Sequence, residues 1–527
     1  VKTRRTIDTI ALAGLMALSI GLPLAADWTV TETLDLDAVY RIKEEALSPQ
    51  RSKVMDIESY LTDIYGPRLT GSPNIKEAAD WAQKTMKEWG LANVHTETYP
   101  FGRGWQNQRF VAMAVSPRAY PLIAFPKAWT PGTNGPVTAE AVMAVITTDK
   151  DFDTYRGKLR GKFVLAMPVR DVLAQFEAPG HRYTDGELFE LSKQPTVAAG
   201  RGRGNFAAQQ EFARRRTQFF LDEGVAAVLE PSARGDGGTI FVGAGGSRDP
   251  KQPPHPPEVV VAVEHYGRIA RTLEKKIPVT LQFDIQNTFY DADPNAFNIT
   301  AEIPGTDKAD ELVMLGAHFD SWHSGTGATD NAAGSAVMME AMRILKQSGV
   351  KLRRTVRLGL WTGEEQGLLG SRAYVKDHFA DPATMQLKPE HAKLSGYFNV
   401  DNGTGAIRGV YLQGNEAVAP IFSAWMEPFR NAGMATLTIR NTGGTDHLSY
   451  DAVGLPGFQF VQDPIEYDTR THHSNQDVYE RIQAQDMMQN AAIVASFVYH
   501  TANREEKLPR KPLPKPQGPT GRGSTQQ

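Results

Sequence analysis

Three short apolar runs in this chain each end in residues that can bind metal or move protons. Leu312 to Ala317 leads into His318 and Asp320, Val356 to Trp361 leads into Glu364 and Glu365, and Tyr397 to Val400 leads into Asp401. Each run is bounded by charge or glycine and reads as a strand buried on both faces in a mostly parallel sheet, with helical segments between. In an open sheet of that kind ligands collect in the crevice beyond the carboxyl ends of the strands, which is where these side chains fall. Asp330 stands just ahead of a helix in GATDNAAGSAVMMEAM. Imidazole nitrogen and carboxylate oxygen in these numbers suit a divalent cation such as zinc, with room for water in a catalytic site. A further ligand has to come from elsewhere, and the adjacent His472 and His473 of RTHHSNQDVYE are the candidates.

The motifs AHFDSW, ATDNAAGS, LWTGEEQGLLGS, NVDNG and HHSNQD, in that order, resemble the co-catalytic zinc exopeptidase family of aminopeptidase Y and carboxypeptidase Q, with the carboxypeptidase Q branch the nearer. YGPRLTGSPN and GLANV upstream and GGTDHLSYDAVGLPGFQ downstream extend the resemblance over nearly all of residues 35 to 500. Position by position, the resemblance implies two zinc ions held by His318, Asp330, Glu365, Asp401 and His473, with Asp330 bridging. His473 starts the family's H-[Ser/Thr]-x-x-Asp pattern, because Ser474 and Asp477 follow it in step; His472 is then a neighbour. Glu364 becomes the base: two cations would acidify a shared water and polarise the scissile carbonyl, and Glu364 would pass the water's proton to the leaving amine.

Each residue also has a plainer reading. A Glu-Glu pair after a strand is commonly a solvated turn, and a lone histidine a satisfied core residue; five ordered motifs decide for chemistry here. Asp320, two residues beyond His318 in extended chain, points the same way and is expected to hold the second imidazole nitrogen. Asp446 and His447 are expected near the cleft without binding metal, and His323 is left outside the ligand set. Tyr467 is a candidate donor to a developing oxyanion. The sequence does not say whether the terminal amine or the terminal carboxylate of a peptide is read, so aminopeptidase and carboxypeptidase or dipeptidase both stand. The reading from another class, a metal-free binding protein on the same fold, has the intact ligand set against it.

The elements that must position these residues make an α/β fold, a mixed and mostly parallel sheet flanked by helices. The resemblance makes it zinc exopeptidase-like, of the phosphorylase/hydrolase kind. From Asp35 to about Gly90 the apolar spacing gives three helices, broken at Pro49 and at Gly66-Pro67. Val94 to Phe101 and Phe110 to Val115 read as strands, and residues 35–125 as the first part of the peptidase domain. Residues 126–288 change texture, with proline-rich entry and exit and short strands at Val142 to Ile146, Lys162 to Ala166 and Val225 to Leu229. YRGKLRGKFVLAM and FFLDEGVAAVLEP there resemble an inserted, β-rich protease-associated domain. Residues 289–503 return to the peptidase domain and carry the metal site, closing on a helix over Gln483 to Thr501.

At the ends the chain reads differently. Lys2, Arg4 and Arg5, an apolar run from Ile10 to Leu24 and Ala25-Ala26 form a Sec-type signal peptide over residues 1–26, which predicts a secreted or periplasmic bacterial protein with no stable membrane span after cleavage. The lack of cysteine leaves such a chain to core burial and metal for its stability. Residues 504–527, KLPRKPLPKPQGPTGRGSTQQ in the main, read as a disordered tail. A formal net charge of −3 with no charged block argues against a nucleic-acid partner. Short peptides are the expected partners, and a homodimer is compatible with the sequence.

Overall fold

The computed structural model describes residues 32–197 and 206–516. The expected signal peptide lies outside them. Two eight-stranded sheets organise the chain. The first runs, edge to edge, Ala92–Pro100, Asn295–Ile303, Arg354–Trp361, Lys308–His318, Leu394–Asn399, Gly457–Gln462, Ile407–Tyr411 and Thr436–Thr438. Its four central strands, 354–361, 308–318, 394–399 and 457–462, are mutually parallel. Three of them contain the apolar runs of the sequence, and from Leu312 on the strand 308–318 is buried like its neighbours, as strands covered on both faces must be.

Helix Ala333–Gln347 packs on this sheet and is buried from Ala333 to Leu345. A helix apolar around nearly its whole circumference needs a second cover, and Ala484–Asn503 with the N-terminal helices Leu36–Ala46 and Val54–Ser59 supplies it. Its two internal charges are paired: Arg343 donates to both oxygens of Glu340 at 2.7 and 2.8 Å and to Glu45 at 2.9 Å. The start of this helix, and Asp330 just before it, are thereby fixed against the sheet.

The second sheet holds the intervening chain, and its limits differ from the expected 126–288. Gly104–Ser116 pairs along its length with Thr280–Tyr290, so the strand expected at 110–115 belongs to this sheet and not to the peptidase sheet. An alternating strand pattern identifies a strand but not its partner. Strands Val137–Met143, Phe163–Leu165, Ala227–Pro231 and Glu258–Val261 form its parallel part. The first of them ends short of the expected 142–146.

The tail expected to be disordered from Arg504 packs instead, over 504–516. Leu508 is 2% exposed, Arg510 donates to the carbonyls of His391 and Leu394, and Arg354 reaches the carbonyl of Glu505. One anchored leucine and a few cation-to-carbonyl bonds hold it, a pattern with no periodicity. Among the described residues no helix is long and apolar enough to cross a membrane.

Candidate active site

Sheet register brings the site together. His318 stands opposite Trp361, and Gly316 opposite Asn399, so His318 and Asp401 come level where the strands end. Beyond Trp361 the chain turns at Gly363, with φ of +67° and space so tight that a Cβ would meet the Tyr99 hydroxyl at 2.5 Å. Glycine is required there on both counts, and the turn swings Glu364 and Glu365 over the strand ends.

Asp330 enters from a π-turn, Ala328–Ala332, in non-helical backbone. Asp477 grips it from below, accepting the N–H of Thr329 at 2.6 Å and of Asp330 at 3.2 Å. Asn331 donates to the Val400 carbonyl at 2.9 Å and accepts the Gly334 N–H at 2.9 Å, tying the helix start to the Asp401 strand. His473 reaches in from a loop with φ of +64°.

The two oxygens of Asp330 face two different groups. Oδ1 is 3.2 Å from His318 Nε2, which is itself 3.3 Å from Asp401 Oδ1. Oδ2 is 3.2 Å from His473 Nε2, which is 2.9 Å from Glu365 Oε2. Despite these distances, Asp330 Oδ2 and Glu365 Oε1 are buried without a hydrogen-bond partner. Ligand-type atoms that crowd together while two buried carboxylate oxygens among them lack a hydrogen-bond partner are arranged around common points. Ligands bonded tetrahedrally at about 2.0 Å stand about 3.3 Å apart, which is close to the spacings here.

Charge points the same way. Burial, and then the neighbouring acids, pushes the Glu364 carboxyl well above its usual range; burial and Asp330 lift Glu365 to about 8. Burial opposes charge on His473, but Glu365 and Asp330 outweigh it and raise the imidazole to about 11. Packed acids that favour cationic neighbours this strongly form a site for a cation. These residues can hold divalent metal, with His318, Asp330 and Glu365 as one set of mutually close ligand atoms.

The remaining expected residues take different places. The Asp320 carboxylate does not hold the second nitrogen of His318: Nδ1 bonds the Asp320 backbone carbonyl at 3.0 Å, with the carboxylate 3.6 Å away. That carboxylate accepts the Glu364 N–H at 3.2 Å and the Thr70 hydroxyl at 2.9 Å, and Thr70 in turn accepts the Gly363 N–H at 2.8 Å. Its service is to the turn that carries Glu364. Asp446 and His447 are fully buried, and His447 bonds the Thr442 carbonyl at 3.2 Å. Tyr467 stacks on His472 at 4.6 Å and lines the cleft. His472 Nε2 is 3.7 Å from Asp330 Oδ2, farther than His473, so distance agrees with the motif's choice.

Sequence reasoning missed Thr70, the grip of Asp477 and the part played by the insert. Val242 donates to the His473 carbonyl at 3.0 Å, while Asn475 accepts the Ile240 N–H at 2.9 Å and donates to the Gly238 carbonyl at 3.2 Å. The insert thus splints the loop that bears His473.

Residues 298–498 match the model of Peptidase family M28. Carboxypeptidase Q of Bos taurus is 26% identical over 450 residues, 85% of either chain. Aminopeptidase YwaD of Bacillus subtilis is 30% identical over 211 residues, 39% of this chain and 44% of that one. Among solved structures, a Peptidase M28 precursor from Shewanella amazonensis superposes with a TM-score of 0.64 at 24% identity, covering 91% of this chain and 99% of that one. A zinc aminopeptidase from Bacillus subtilis gives 0.55 at 19%, covering 86% and 95%. At those identities the structures speak for the fold.

Proposed function

The chain belongs, through residues 298–498, to peptidase family M28, and from that premise we propose a two-zinc exopeptidase that releases terminal residues from short peptides. Asp330 would be shared between the two ions; His318 and Asp401 would complete one site, and Glu365 and His473 the other. What supports this most is the division of the Asp330 oxygens between two separate histidine and carboxylate pairs. Bound there, zinc would supply a water acidified towards neutral pH and a Lewis acid for the scissile carbonyl.

The chain's own residues do the rest. Glu364, beside this cluster but outside the ligand set, takes the water's proton and delivers it to the leaving nitrogen. Asp320 and Thr70 hold the backbone turn from which Glu364 projects, and Asp477 holds the backbone of Asp330. The insert is a protease-associated domain on the strength of its two motifs, and the protein is secreted or periplasmic on the strength of its N-terminal charge and apolar run.

Which end of the peptide is read is tested with one tripeptide offered free, amino-blocked and carboxyl-blocked. Among the blocked forms, an aminopeptidase cleaves the carboxyl-blocked peptide alone and a carboxypeptidase the amino-blocked one alone. A dipeptidase cleaves neither blocked form but hydrolyses dipeptides. Rapid internal cleavage of a long chain contradicts an exopeptidase of any kind.

A further inference from the structure

Resting on that reading, we propose that a strap of the insert, residues 181–183, forms one wall of the pocket receiving the substrate's terminal side chain. Tyr183 on this strap selects bulky side chains without a carboxylate, aromatic or branched aliphatic among them. The pocket has a volume of about 240 Å³ and opens beside Asp401 and His472, next to the metal-binding cluster. Tyr411 and Tyr467 of the peptidase domain and Tyr183 of the insert line it, with the Gly443-Gly444 pair leaving space where side chains would fill it. No lysine or arginine lines it, and the acids at its edge are Asp401 and Asp468. Phenol rings and open glycine favour a large side chain, and the acids disfavour a carboxylate.

The strap is fastened, so its tyrosine is a built wall. His181 and Ile465 exchange two backbone hydrogen bonds, both of 2.8 Å. The Tyr183 N–H donates to Asp463 at 3.0 Å, and its carbonyl accepts from Arg408 at 3.1 Å. Asp463 is buried at the end of the strand Gly457–Gln462 and also takes Arg182 and Arg408, each at 3.0 Å. The helix that follows, Asp185–Ser192, buries Leu188 and Leu191 against Val461, with Tyr183 and Tyr411 packed on the same cluster. The Thr438 hydroxyl donates to the Leu191 carbonyl at 2.9 Å. A side chain carried on so many contacts with the peptidase sheet keeps its position when substrate arrives, which is what discrimination by shape requires.

The test uses full-length, zinc-loaded wild type, Tyr183→Ala and Tyr183→Phe on Leu-Gly, Phe-Gly and Ala-Gly and on the reversed dipeptides, so that either end can be the one read. Wild type should prefer leucine or phenylalanine over alanine at the position it reads. Tyr183→Ala should lower kcat/KM for those peptides by roughly tenfold or more, chiefly through KM, while the alanine peptide stays within about threefold. Tyr183→Phe should keep the wild-type preference. Circular dichroism and bound zinc equal to wild type certify that the variant is folded. An equal fall on all peptides, or no change on any, overturns the assignment. Wild type that hydrolyses peptides without preferring the larger side chain overturns it alone; wild type that hydrolyses none overturns the exopeptidase reading and this one with it.

Discussion

Adjacent glutamates with different duties are the sharpest statement this site makes at the scale of single residues. Glu365 turns towards His473, 2.9 Å away, whereas Glu364 is tied through its N–H to Asp320 at 3.2 Å and leaves its carboxylate outside the ligand pairs. Glu364→Gln should therefore retain zinc while kcat falls by about 10²–10⁴, the range of a lost general acid or base. Glu365→Gln should lower zinc affinity and recover part of its activity in excess zinc. Metal content and kcat of both variants check this, and the opposite pattern would exchange the two roles. His318, Asp330, Glu364, Glu365 and Asp401 were legible in the sequence because each follows a run or motif that fixes its place. The Asp320 carboxylate was misread: alternation along extended chain puts it on the side of His318, but the turn at Gly363 offers it a backbone N–H, and Thr70 a hydroxyl. A contact to a residue some 250 positions away leaves no local pattern.

At the scale of elements, the parallel strands deliver three of the proposed ligands and the insert steadies a fourth. The His473 loop lies across Gly238 to Val242 of the insert, and Asn475 supplies a hydrogen bond in each direction. Asn475→Ala removes both and leaves the Ile240 N–H without its partner, at a cost of about 1–3 kcal/mol. Because a ligand's support tunes its grip, zinc affinity should fall by about 10–100-fold while kcat at saturating zinc changes little. Competition with a chelator of known affinity measures it; unchanged affinity would mean that the insert merely covers the loop. The strands were legible from their apolar runs, and helix Ala333–Gln347 from the mainly apolar stretch that follows Asp330. The insert's true extent was not, since Gly104–Ser116 finds its partner only at Thr280–Tyr290, and strand pairing is a property of two distant segments.

Across the whole molecule, the peptidase sheet and the insert meet on both flanks of the cleft, at Phe241 with Ser474 and at His181 with Ile465. The segment after Arg504 closes the far side by packing Leu508 against the sheet. No disulfide is available to this chain, so core burial carries its stability, and bound metal would add to it. What unites these parts is the crowd of buried acids and histidines around Asp330, whose arrangement makes sense around two cations. Elemental analysis of gently purified protein, read together with peptide hydrolysis before and after chelation, tests that most directly. We expect two zinc ions per chain and loss of hydrolysis on chelation, restored by added zinc; metal-free protein with full peptidase activity would contradict it.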